Sequence, residues 1–165
     1  MANITTLDIG GTTHPTVMKM KTPYYVERII DFADALVAKG SALAASDTIE
    51  ALVVPAGTAI LAAGLRTVAV DDATTLTLDL GKTGGDVDEW VDGYDQAAAA
   101  AGAFSADLDS VPSIYAPLTT ADTIDLLFAT LTGTLTVGKV AVWALFLDCS
   151  GNPTPLGATI AQPKS

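Results

Sequence analysis

An all-β chain is predicted, an antiparallel β-sandwich or jelly roll with an extended N-terminal arm and at most one or two short helices. Three features carry that prediction. Short segments rich in β-branched, aromatic and alternating apolar residues recur along the chain, about eight or nine in all. Turn signals made of Gly, Pro, Asp and Thr separate them at fairly regular intervals. No long amphipathic helix lies between successive segments, as a parallel βαβ sheet would need.

Residues Met1–Pro23 lack clear periodicity, yet apolar side chains are spaced along them: Ile4, Leu7, Ile9, Val17, Met18 and Met20. Lys19 and Lys21 add local positive charge. A purely disordered tail is more polar than this. These eight residues are the candidate partner-binding set, on an arm expected to dock onto its own domain or a neighbour; a loose terminus is the plain alternative. The sandwich is expected over 24–150, followed by a loop-like tail over 151–165 that carries three prolines, with Ala158–Ala161 as an optional edge strand.

Within the domain, Tyr24–Ala33 reads as a first strand from its aromatic and β-branched content. Asp34–Lys39 allows a short helix stopped by Gly40, but a loop with one helical turn is favoured. Thr48–Val54 is a strand, and Pro55-Ala56-Gly57-Thr58 suits a type I turn with Pro at its second position and Gly at its fourth. Thr58–Ala63 and Leu65–Val70 follow, with Gly64 between them as a bulge or bend. After a turn at Asp71–Thr74, Thr75–Leu80 alternates cleanly: Leu76, Leu78 and Leu80 face the core, and Thr75, Thr77 and Asp79 face water.

Gly81–Gly102 interrupts the β pattern. Val87, Trp90, Val91 and Tyr94 fall at helical spacing, Asp86 and Glu89 resemble a capping box, and Gly93 would end the helix early. A turn or two of helix is expected, then an Ala-rich connection at Ala97–Ala101 into which the helix could extend. Asp109–Pro112 is turn-like, and Ser113–Ala116 reads as a short strand. Thr123–Thr130 places Ile124, Leu126 and Phe128 on one face and Asp125 on the other. A turn at Thr132-Gly133 and a short β segment at Thr134–Val137 precede the last strand.

That last strand, Lys139–Asp148, is the longest apolar run of the chain's final third. At ten residues it is too short to cross a bilayer as a helix, which takes about 20. One parity carries Val140, Val142, Ala144 and Phe146; the other carries Ala141, Trp143, Leu145 and Leu147. Both faces are apolar, so the strand should be central, one face on the core and the other against a neighbouring chain or a covering arm. An interior strand of a larger sheet is the alternative.

Composition sets further bounds. The chain has 165 residues, enough for one domain with a sizeable core. Half its residues are hydrophobic and only 16% are charged, which suggests that some surface is buried in an assembly. No membrane span and no signal peptide are read, since every apolar run is short or broken and the start has no basic region. The formal net charge of -11 repels phosphate backbones and argues against nucleic-acid binding. Cys149 is the single cysteine; it excludes an internal disulfide and a multi-Cys zinc site, and reads as a small buried residue.

No catalytic signature emerges. His14 is the one histidine, so a nucleophile–His–acid triad would have to draw it from the arm to meet Cys149 or a serine. G-x-S-x-G and the P-loop pattern are absent, and Gly81-Lys82-Thr83 lacks the earlier glycine. The acidic cluster Asp86, Asp88, Glu89, Asp92 and Asp95 is the one constellation with ligand potential. Asp86, Asp88 and Asp92 are weak calcium candidates, but their spacing departs from the EF-hand loop, and a solvated acidic loop is the simpler reading. A paired-carboxylate glycosidase would need an aromatic-lined groove that the sequence does not offer. No cofactor is implied and no metal is assigned.

Six segments together resemble a known group. They are Y-Y-V-E-R-I-I-D-F at 24–32, S-D-T-I-E-A-L-V-V-P-A-G-T at 46–58, T-L-T-L-D-L-G at 75–81, D-V-D-E-W-V-D-G at 86–93, T-A-D-T-I-D-L at 120–126 and G-K-V-A-V-W-A-L-F-L-D at 138–148. In pattern and phrasing, from Tyr24 to Ser150, the chain looks like the small head-associated structural proteins of tailed bacteriophages, often assigned as capsid decoration or cement proteins. The resemblance implies a non-enzymatic β-sandwich on the outer surface of a virion's capsid. Its partners would be the major capsid protein and copies of itself, a homotrimer favoured, with no nucleic acid and no membrane. Other virion parts stay open: a head fibre, a neck or tail component, or a host-binding tip using Trp90 and Tyr94. So does a calcium-dependent sugar-binding β-sandwich.

Overall fold

The computed structural model describes residues 22–82, 85–105 and 116–150. The partner-binding candidates of the arm, from Ile4 to Lys21, lie outside these residues, as do the expected turn at Asp109–Pro112, most of the strand expected at Ser113–Ala116, and the tail.

Among the described residues eight strands form two four-stranded antiparallel sheets packed face to face, with one helix beside them. In chain order they are β1 (Tyr24–Asp31), α1 (Phe32–Lys39), β2 (Thr48–Val54), β3 (Thr58–Ala69), β4 (Thr75–Gly81), β5 (Val91–Asp95), β6 (Phe104–Ser105), β7 (Asp122–Thr132) and β8 (Lys139–Asp148). Sheet I runs β1-β8-β3-β6 and sheet II runs β2-β7-β4-β5. β8 is central as expected, paired along its length with β1 and β3. Its Val140, Val142 and Ala144 are fully buried and Phe146 nearly so. From sheet II, Leu76, Leu78, Leu80, Ile124, Leu126 and Phe128 meet them, all at zero exposure. The period-two alternation of β4 and β7 is therefore the core pattern, since each alternate residue points to the same face.

Buried polar groups tie the two sheets at one end. Tyr94 on β5 and Thr67 on β3 share a hydroxyl–hydroxyl bond of 2.6 Å, and Thr67 donates to Gln96 Oε1 at 2.9 Å. Gln96 Nε2 in turn donates to the Ala69 carbonyl at 3.3 Å. At the other end the backbone amide of Gly57 donates to Leu118 at 2.7 Å, and that of Cys149 to Gly57 at 2.7 Å.

Several local expectations are corrected. The first strand ends at Asp31, and the segment favoured as a loop is a two-turn helix. Asp31 caps it by accepting from the Ala33 amide at 3.0 Å, and Gly40, at φ +70°, closes it by donating to the carbonyls of Leu36 and Val37. The turn after β2 is shifted by one residue: Thr58 donates to Pro55, and Gly57 sits third at φ +79°, the type II position. β3 is continuous through Gly64, its register shifts lying at Ile60/Ala62 and Thr67/Ala69.

The helix expected over 86–94 is a turn followed by β5, because Trp90 and Val91 bury against the sheet while Val87 stays exposed. Gln96–Ala98 forms turns, with Asp95 accepting from the Ala98 amide at 3.0 Å. Asp79, assigned to water by parity, is buried, and so is Asp125 on the opposite parity of β7 from the core row. Asp79 accepts from the Gly93 amide at 2.7 Å, and the backbone of Asp86 and Val87 closes over Gly81, the cross-strand partner of Asp125. Thr134–Val137 is not a strand; Asp72 holds it by accepting from the amides of Thr136 and Val137. Cys149 is half-buried.

Gly138 shows how tightly these connections meet. The Phe32 amide donates to its carbonyl at 3.0 Å, and a Cβ built on it would lie 2.7 Å from the Asp71 Cβ and 3.0 Å from the Phe32 ring. Its φ of +113° disfavours any side chain as well. Gly138→Ala should lose roughly 2–4 kcal/mol in urea unfolding. Gly40→Ala, with nothing within 4 Å of a new Cβ, should lose only the backbone strain, about 1 kcal/mol. Equal losses would contradict the close packing at Gly138.

Candidate assembly interface

The outer face of sheet I is built by the second parity of β8. Cross-strand pairing sets three rows: Ile29, Ala141 and Arg66; Glu27, Trp143 and Gly64; Tyr25, Leu145 and Ala62. On the short β6, Phe104 pairs with Arg66 and joins the same face. Trp143 is the centre of an aromatic strip across the sheet. The Tyr25 ring lies 6.2 Å from it at 16° and the Phe104 ring 5.2 Å from it at 15°, so three rings stack nearly parallel. Gly64 contributes no side chain to the Trp143 row. The strip is far from covered: Phe104 is 59% exposed, Tyr25 57% and Ile29 52%. Such pairs contribute about 0.5–1.5 kcal/mol beyond area burial. Large apolar groups left this open on one sheet face are what interfaces are made of.

Charges on this face are paired internally. Arg66 reaches from β3 across β8 to both carboxylate oxygens of Glu27 on β1, at 3.1 and 3.2 Å. At the next row Lys139 meets Asp31 at 2.6 Å. The Tyr25 hydroxyl donates to Glu27 at 2.5 Å. That bond, then the Arg66 guanidinium, holds the Glu27 carboxyl below its ordinary range. The Tyr25 ring is largely open, yet its hydroxyl is the part drawn against the carboxylate. Partial burial, followed by the bond to Glu27, pushes it up to about 12.

Sheet II is the electrostatic opposite. Its strands carry Glu50, Asp79, Asp92, Asp95, Asp122 and Asp125 and no Lys or Arg. Glu50 and Asp125 are direct cross-strand partners. Its outer face also bears threonine pairs, Thr75 with Thr132 at 2.5 Å and Thr77 with Thr130 at 2.7 Å. Sheet I strands balance instead: Glu27, Asp31 and Asp148 stand against Arg28, Arg66 and Lys139. One side of the sandwich is apolar and neutral, the other polar and acidic.

The acidic loop is brought together only in part. Asp88 and Asp86 share a carboxyl–carboxyl hydrogen bond, which raises Asp88 above its ordinary range, with Asp92 adding repulsion. Lys82 pairs with Glu89 at 2.7 Å and lies 5.6 Å over the Trp90 ring. Among the described residues no group of three or more His, Cys, Asp or Glu is placed to hold a metal. Trp90 is 1% exposed and Tyr94 half-buried, so they do not form an exposed aromatic tip. Sequence parity pointed to the outer row of β8, but Tyr25 and Phe104 joined it only through register.

No protein-family profile matches the chain, and no curated protein matches it by sequence. Solved structures do share its fold. A chain of the capsid of Ralstonia phage GP4 is 18% identical with a TM-score of 0.57, covering 77% of this chain and 84% of that one. A chain of the cyanophage Pam1 capsid asymmetric unit is 17% identical with a TM-score of 0.55, covering 76% and 84%. A chain of the acidic stable capsid structure of Helicobacter pylori bacteriophage KHP30 is 13% identical with a TM-score of 0.51, covering 76% and 87%. At these identities the likeness is one of fold. Coverage is high on both sides, so the matched chains are about this chain's size.

The ionic chain on sheet I gives a two-sided pH dependence. Glu27, lowered from 4.5, contributes stability that is present above that value and lost as pH falls through its depressed pKa. Tyr25, raised from 10.0, contributes stability that is full below pH 10.0 and lost as pH rises through about 12. Absorbance titration should show a contribution near pH 12 that Tyr25→Phe removes. Retention of that contribution in the variant would refute the assignment.

Proposed function

We propose that this chain is a structural component of a bacteriophage virion, a decoration or cement protein that binds the outer surface of the capsid shell as an oligomer. The observation that carries the reading is the shared fold with three phage-capsid chains of about this size, since a small stand-alone sandwich in a capsid is the arrangement this chain would reproduce. The physical features support it. One sheet face offers aromatic side chains with self-paired charges, as a buried contact requires, and the other is acidic and suited to water. An acidic body also avoids packaged nucleic acid. Charged groups among the described residues serve local structure: Asp31 caps a helix, Asp72 pins a loop, and Lys82 pairs with Glu89.

Attachment to the shell is assigned to the arm, through Ile4, Leu7, Ile9, Val17, Met18 and Met20, with Lys19 and Lys21 meeting acidic groups of the major capsid protein. Several copies held together would let weak single contacts give durable binding. Added to capsids that lack it, the full chain should co-sediment with them. Deleting Met1–Pro23 should lower the bound copies by about tenfold or more, with the urea midpoint of the domain unchanged. Full occupancy by the truncated chain would contradict the role of the arm, and absence of binding by the full chain would contradict the capsid reading.

A further inference from the structure

We infer that the outer face of sheet I is the surface by which one copy of this chain meets another, with the Tyr25–Trp143–Phe104 strip at the centre of the contact. This deepens the oligomer part of the proposed function and stands without the capsid part.

The argument begins with charge. Each copy carries a net charge of -11, so copies repel unless the surfaces that meet are themselves neutral. Sheet II cannot supply such a surface, because Glu50, Asp92, Asp95 and Asp122 reach solvent from its strands and those strands hold no base. The outer face of sheet I can. Glu27 is matched by Arg66 and Asp31 by Lys139, so approach of a second such face brings no unpaired like charges together. A partner rich in basic groups would gain nothing there, since the acids are already engaged; it would be drawn to sheet II. An acidic partner would be repelled less here than elsewhere, and the acidic partner always present is a second copy.

The chemistry of the face completes the case. Aromatic groups at the centre and ion pairs at the side reproduce the apolar core and polar rim of protein interfaces. Phe104 and Ile29 stand on opposite strands of the sheet, β6 and β1, each more than half exposed. Two such faces related by a two-fold axis would lay the strips across each other, the same patch serving both copies.

Sedimentation equilibrium on the full chain tests this. Self-association should tighten about tenfold as salt rises from roughly 20 mM to 300 mM, because screening removes the repulsion between the acidic bodies while the apolar contact persists. Phe104→Asp and Ile29→Asp should each weaken association about tenfold or more. Val53→Asp, at a 72% exposed position on β2 of the other sheet, should leave it unchanged. Circular dichroism of each variant checks that the sandwich is intact. A monomer at every concentration and salt would overturn the inference, as would equal weakening by Val53→Asp. Loss of capsid binding by Phe104→Asp with association intact would assign the face to the shell and overturn it equally.

Discussion

A strand that is apolar on both sides, placed between two neighbours of its own sheet, is the constraint from which the rest follows. β8 pairs with β1 on one edge and β3 on the other, so its backbone is satisfied along its length. Its inner row, Val140 to Phe146, needs a second apolar layer and finds it in the leucines of β4 and the Ile124-Leu126-Phe128 row of β7. Among the described residues its outer row has no second sheet above it. There the chain covers Ala141 and crowds Trp143 with Tyr25 and Phe104, yet leaves those two rings largely open. The fold solves one side of β8 completely and the other only in part.

The acids are arranged consistently with that asymmetry. Three of the five described cations stand on sheet I: Arg66 neutralises Glu27 across β8, Lys139 on β8 neutralises Asp31 on β1, and Arg28 donates to the carbonyls of Glu50 and Ala51 at the adjoining edge of β2. The other two, Lys39 and Lys82, pair with Asp47 and Glu89 and hold loops. Sheet II is left with its carboxylates. Some gain local donors, as Asp79 does from Gly93. Glu50 and Asp125 stand at cross-strand positions on β2 and β7. A surface of that kind favours water over another acidic surface, which gives the sandwich a sense of direction in any assembly.

Period-two alternation made much of this legible in advance. β2 and β8 are bounded as read, and the inward leucines of β4 follow directly from parity. The failures share a cause: local patterns that two structures satisfy equally. Val87, Trp90, Val91 and Tyr94 have helical spacing, yet Val87 stays exposed while the other three pack on the core from a turn and a strand, and Gly93, at φ +65°, lies within β5 beside its register shift with β4. Asp79 and Asp125 obey parity, but parity does not reveal that Gly93 of β5 will meet Asp79 or that Asp86 and Val87 will pack on Gly81 beside Asp125. The two-residue β6 carries no periodic signal at all, and Phe104 matters only once Arg66 and Ala103 fix it beside Trp143. The outer face was legible on β8 itself; the stack across three strands was not, because register is a tertiary property. The arm residues first assigned to partner binding lie outside the described residues, so their role remains a proposal resting on sequence.

The central claim is that this sandwich works by shared burial within a capsid, apolar sheet toward protein and acidic sheet toward water. The most direct measurement is a density map of the intact particle resolved well enough to place side chains. The account predicts this chain on the outside of the shell, with Tyr25, Trp143 and Phe104 covered by another copy and the Thr75–Thr132 and Thr77–Thr130 pairs facing solvent. A particle without the chain, or with the aromatic strip bare and sheet II buried, would contradict it.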